Sequence, residues 1–102
     1  MIIPISELQI QKKFKHAGDF GILGNYNLQT AATFAAAIQA HVQKPGVQEI
    51  AGTYRSQPVK HYFDPLTNLN VIVDARDNFV SGWKLNSAQV VELTTTGDIG
   101  GG

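Results

Sequence analysis

Apolar positions change their period about halfway along the chain. Up to Gln43 they recur every three or four residues, and from Val47 onward they alternate. The first pattern belongs to helices with one buried stripe, the second to strands with one buried face. Ile10, Phe14 and Ala17 make the first stripe, and the spacing predicts a helix over 7–17. Ser6 with Gln9 reads as a capping box, and Ile5 with Ile10 as the hydrophobic staple around it. Gly18 can end this helix. A second helix is predicted over 27–43, with Leu28, Ala31, Ala35, Ile38 and Val42 on its apolar face and "KPG" as the stop.

The alternating half predicts strands at 49–55, 59–63, 70–75, 79–85 and 89–94. The links between them, "SQP", "DPLTN", "ARDN" and "NS", are short enough for hairpins. Short links favour an antiparallel meander. The expected fold class is therefore α+β: two N-terminal helices packed on one face of an antiparallel sheet of four to five strands. Residues 1–95 make one domain, and the glycine-rich stretch 96–102 is expected to be a mobile tail.

Composition narrows the function. The 102 residues suit one domain with a modest core, and the absence of cysteine removes disulfides and thiolate metal sites. Eight basic residues balance eight acidic ones, which argues against holding nucleic acid by bulk charge. A polyanion site must then be local, and the basic residues that suggest one are Lys12, Lys13, Lys15 and Lys84. The first three surround His16 in "KKFKHAGDFGI". No apolar run approaches the roughly 20 residues that span a bilayer, and "MIIPIS" lacks the basic start of a signal peptide. Either the chain acts where it is made, or it is a piece of a longer protein that carries the export signals. No spacing of His, Asp or Glu suggests a metal site, so no cofactor is expected. "GDIGGG" is not a phosphate loop, because no strand precedes it and no helix follows.

The residues themselves suggest a chemistry. Cleavage of RNA by its own 2′-hydroxyl needs a base, an acid and cations around the phosphorane. A placed histidine is the usual base, worth roughly 10²- to 10⁴-fold. Lys12 and Lys13, one turn before His16, would repel a second positive charge and push the imidazole pKa down. The same lysines, or Lys15, can hold the scissile phosphate. Along the fourth strand, alternation puts Phe79, Ser81, Trp83 and Leu85 on one face and Val80, Gly82 and Lys84 on the other. Ser81 can donate to a phosphate oxygen, and Trp83 can stack on an unpaired base. Bland readings stand beside these. A helix face "KKFKH" can merely be solubilising, Ser81 a small residue at a bulge, and Trp83 part of the core. His41 reads as a surface residue, His61 as a structural residue on a sheet face, and Asp19 as a cap or turn residue. No second histidine stands out as the acid.

"KFKHAGDFGI" together with "YFDPLTNLNVIVDARDNFVSGWKL" resembles the C-terminal nuclease domain of the colicin D family, which extends to contact-dependent and other polymorphic bacterial toxins. The resemblance runs from about Lys12 to Leu93. It implies a metal-independent endonuclease that cuts transfer RNA in the anticodon loop, leaving a 2′,3′-cyclic phosphate and a 5′-hydroxyl. It implies His16 as the catalytic residue, Lys13 and Lys15 as RNA contacts, and Ser81 and Trp83 as important for activity. The implied partner is a small, often acidic immunity protein, and the implied setting is a larger toxin delivered into the cytoplasm of a target bacterium, with this domain monomeric when unbound. Two other classes stay open: a catalytically weak module that binds RNA or protein, and a ribonuclease of the same fold in a toxin–antitoxin pair.

Overall fold

The computed structural model describes residues 2–100. Helix α1 spans Glu7–Lys13 and continues as a 3-10 helix over Phe14–Phe20; helix α2 spans Leu28–Gln43. Strands β1 (Gln48–Tyr54), β2 (Gln57–Phe63), β3 (Leu69–Val73) and β4 (Phe79–Lys84) follow, then helix α3 (Ser87–Thr96) and the short strand β5 (Asp98–Ile99). The sheet order is β4-β3-β2-β1-β5. Strands β1 to β4 form the expected antiparallel meander, whereas β5 lies parallel to β1, so the α+β sheet is mixed. Among the described residues no helix is long and apolar enough to cross a membrane.

Two predictions about the C-terminal part are corrected. Residues 89–94, read as a fifth strand from their valines and threonines, lie in α3. Asn86 caps that helix by accepting from Gln89 N–H, and the Gln89 side chain returns the bond to Asn86 N–H. The stretch read as a mobile tail supplies β5, with Ile99 buried; Gly101 and Gly102 lie outside the described residues. The helix predicted over 7–17 also changes form. It tightens to 3-10 winding after Lys13, runs through Gly18, and ends at Gly21 with φ of 82°. Only half of the Ser6–Gln9 box is made. Ser6 Oγ accepts from Gln9 N–H, but the Gln9 side chain donates to the Val80 carbonyl instead.

The sheet is packed on both faces. Against one face lie α1, the 3-10 helix and α2, closing a core of Ile10, Ala17, Phe34, Ile38, Val71 and Phe79. Phe34 sits at its centre, edge-on to Phe14 and Phe79 at centroid distances of 5.9 and 6.5 Å. On α2 the buried positions are Phe34, Ile38, His41 and Val42, while Leu28, expected inside, is exposed. His41, expected at the surface, is buried and donates Nε2–H to the Tyr62 carbonyl at 2.8 Å. Against the other face lies α3, closing a core of Tyr54, Phe63, Ile72, Trp83, Leu85, Leu93 and, from the edge strand β5, Ile99.

The register of β4 shifts against β3 between Val73 and Ile72, leaving Val80 as the extra residue. That bulge breaks the simple alternation. Phe79 joins the helical core, whereas Ser81, Trp83 and Leu85 face α3. The outer edge of β4 is covered by the N-terminal segment. Phe79 N–H donates to the Pro4 carbonyl, Val80 C=O accepts from Gln9, and Lys84 N–H donates to Asp19 Oδ2 at 2.9 Å. Satisfying these edge groups fastens the 3-10 helix beside β4.

Candidate active site

His16 is carried by the 3-10 helix, where residues three apart line up. It therefore shares a side with Lys13, and both are half-buried, while Lys12 and Lys15 are exposed. The His16 ring lies 5.7 Å from the Trp83 ring at 31°. Trp83 in turn lies 5.9 Å from Tyr54, on β1. Three strand spacings separate β1 from β4, about 14 Å in a flat sheet, so this contact records a strongly curled sheet. Two cations flank Tyr54: Lys13 Nζ at 5.9 Å and Arg55 Cζ at 5.2 Å from the ring centroid. Distances of this size give cation–π attraction. The site is thus a continuous run of rings, His16 to Trp83 to Tyr54, bordered by a lysine and an arginine.

Its charge is concentrated. Burial pushes the Lys13 ammonium below the ordinary lysine range, and the positive charges of Arg55, Lys15 and Lys12 push it the same way. The neutral chain therefore carries a local cluster of positive charge. Lys84, also expected to contact substrate, is exposed at the edge of β4, next to Trp83.

Ser81 and Trp83, expected to touch RNA, are 0% and 5% exposed. The α3 side of the sheet closes over them, which a period-two reading of β4 cannot see. Trp83 Nε1–H donates to Gln89 Oε1 at 3.2 Å, and the same oxygen accepts from Asn86 N–H. Gly82, between them, faces the other way, where Phe20 leaves a side chain little room: an added Cβ would lie 3.2 Å from Phe20 Cζ. "SGW" thus places a buried hydroxyl, a seat for the helix that carries His16, and the ring beneath His16.

The other histidines serve the fold. His61, 0% exposed, donates Nε2–H to the carbonyls of Gly97 at 3.0 Å and Thr53 at 3.2 Å, and its Nδ1 accepts from Asn70 Nδ2 at 3.1 Å. It ties β2 to the end of α3 across the sheet. Tyr54, Arg55 and Gln89 were not singled out from the sequence. Only Gln89 left a signal there, as the third residue after a capping Asn86.

The fold and site define a class. In architecture the chain matches a solved ribonuclease from Escherichia coli complexed with its inhibitor protein, with a TM-score of 0.78 and 39% identity over 89% of this chain and 100% of that one. Within that class the chain belongs to the Colicin D family, whose profile matches residues 9–93. Colicin-D of Escherichia coli is 43% identical over 83 residues, which make up 79% of this chain and 12% of that protein. The chain thus spans about one eighth of that relative's length.

Proposed function

We propose that this domain is a toxin ribonuclease that cuts transfer RNA in the anticodon loop by transesterification, with His16 as general acid/base. The observation that carries the proposal is the half-buried His16 held over Trp83 on the same helical side as Lys13. Membership of the Colicin D family and likeness to a ribonuclease support it.

In this reading His16 takes the proton from a 2′-hydroxyl, and the 2′-oxygen attacks phosphorus. The bond to the 5′-oxygen breaks, that oxygen takes up a proton, and the products are a 2′,3′-cyclic phosphate and a 5′-hydroxyl. Negative charge grows on the phosphate oxygens, and Lys13 stands where a cation can offset it, with Lys12 and Lys15 holding the flanking strand. A lysine with a lowered pKa also gives up a proton more readily than an ordinary one. Lys13 is therefore our assignment for the group that protonates the leaving oxygen. Trp83 and Ser81 act from below, Trp83 by setting the plane of the imidazole, and Lys84 is a peripheral RNA contact.

The proposed partner is an immunity protein whose acidic surface covers the His16 site, and the proposed setting is delivery into a target bacterium as part of a larger toxin. Expression under tight control, with and without His16→Ala, followed by sequencing of the ends of cellular transfer RNA, tests the activity. New 5′-hydroxyl ends in anticodon loops that disappear with His16→Ala, a loss of at least about a hundredfold, are expected. Intact transfer RNA in the presence of folded protein would overturn the reading.

A further inference from the structure

Beyond Tyr54, on the part of the curled face that α3 leaves uncovered, lies a cleft of about 650 Å³. Tyr54, Val59 and Val80 line its apolar part, and Arg55, Arg76 and Asn78 its polar part. The sequence contains two arginines, and both are here.

Each arginine is held by its backbone. Arg55 and Ser56 form the two-residue turn between β1 and β2 with φ of 51° and 66°, the left-handed pair that normally takes Asn-Gly. An arginine there bears a backbone cost that a glycine would not. Its N–H donates to the Ile99 carbonyl at 3.2 Å, so β5 fastens the turn. Arg76 sits in the turn between β3 and β4. Asp74 also lines the cleft, but its oxygens are engaged within the turn: Oδ1 accepts from the N–H groups of Arg76 and Asn78 at 2.8 and 3.0 Å, and Oδ2 from the Asn78 side chain at 3.3 Å. Lys44 and Lys60 are each within ion-pair distance of a carboxylate, whereas among the described residues neither Arg55 nor Arg76 is.

We infer that this cleft is a second nucleotide subsite, in which Arg55 and Arg76 clamp an RNA phosphate beside the scissile one and the apolar floor of Tyr54, Val59 and Val80 receives an unpaired base. The inference rests on the ribonuclease reading of the His16 site. Arginine's planar fork matches two phosphate oxygens at once, which a lysine cannot do. An apolar floor beside such a fork is how single-stranded RNA is held without reading paired edges. Tyr54 joins the two places, because Lys13 on the catalytic side and Arg55 on the cleft side approach the same ring. Tyr54 itself is buried, so the strand would pass from one cation to the other across the surface above it.

Binding of total bacterial transfer RNA to the His16→Ala protein, measured across a salt series, tests the subsite. Arg55→Gln and Arg76→Gln should each weaken binding, and the double variant, which gives up the one clamped phosphate, should reduce the slope of log K against log salt by about 0.7 to 1. Arg→Lys at either position should restore the slope but only part of the affinity, since the charge returns without the fork. Lys44→Gln, outside the cleft, should leave the slope as it was. Arginine variants that keep the parent's melting temperature, affinity and slope, while the protein with His16 still cuts transfer RNA, would overturn the subsite and leave the ribonuclease reading standing. A folded domain that neither cuts nor binds transfer RNA would overturn both.

Discussion

The imidazole of His16 rests 5.7 Å from the indole of Trp83, and the indole is held at its N–H edge by the Gln89 side chain. Gln89 Oε1 accepts from Trp83 Nε1 and from Asn86 N–H, so one amide fixes both the platform of the proposed base and the first turn of α3. Helix α3 thereby reaches His16 through one side chain and one ring.

Gln89→Ala should remove both bonds and cost about 1–2 kcal/mol of stability. The fall in cleavage should exceed what unfolding explains and should appear in kcat rather than KM, because the imidazole loses its fixed plane. Gln89→Glu keeps the acceptor oxygen and should recover most of kcat. Steady-state kinetics with melting curves on the same samples decide it; equal loss in both variants would detach Gln89 from His16.

Tyr54 presents its ring to Trp83, Lys13 and Arg55, yet its hydroxyl is buried with no hydrogen-bond partner among the described residues. Leaving a buried hydroxyl unpaired costs about 1–3 kcal/mol. Tyr54→Phe keeps the ring and should raise stability by up to about 1 kcal/mol. A lower denaturant midpoint would mean that the hydroxyl has a partner in solution.

Gly52 on β1 and Gly97 at the end of α3 approach so closely that a methyl on Gly52 would run into the Gly97 carbonyl. That carbonyl accepts from Thr53 N–H at 3.0 Å and from His61 at 3.0 Å. Gly52→Ala should therefore cost about 1–3 kcal/mol as the end of α3 and β5 are pushed off the sheet. Faster amide exchange at Thr53 would locate the damage, and unchanged exchange with unchanged stability would contradict the close approach.

Burial holds the imidazoles of His41 and His61 below the ordinary value of 6.5, against the opposing pull of carbonyls that accept from their N–H groups. The unfolded chain then binds more protons than the folded one between the folded-state values and 6.5. Stability should be complete above that point and fall as pH drops below it. Protonated His61 would also set Nδ1–H against the Asn70 amide that now donates to it. Denaturant midpoints from about pH 7.5 to about pH 5 should decline, and less steeply in His61→Gln. A flat profile would show that neither imidazole is held neutral.

Much of the architecture could be read from local signals. Strands β1 to β4 and helix α2 were legible because alternation and helical spacing are properties of short windows, and each of those strands keeps one face at least partly buried. Helix α3 was misread because Val90, Val91 and three threonines favour a strand by propensity, while the capping pair Asn86 and Gln89 argued the opposite. The His16 segment was legible as a cationic cluster beside one histidine, but not as the 3-10 helix that aligns it with Lys13. Arg55 and Tyr54 carried no signal, since nothing in "TYRSQP" tells where a curled sheet will take them.

By itself the sequence determined the α+β class, the first four strands of the meander and the single histidine among lysines, all of them consequences of residue type and spacing along the chain, and its two motif blocks carried the family resemblance. Tertiary structure decided the rest. The curl of the sheet brought Tyr54 to Trp83, the edge bonds of β4 laid His16 over the indole, and the second core buried Ser81, His61 and Ile99. Those outcomes depend on contacts between residues tens of positions apart, whose energies are settled only when every face of the sheet has found its cover.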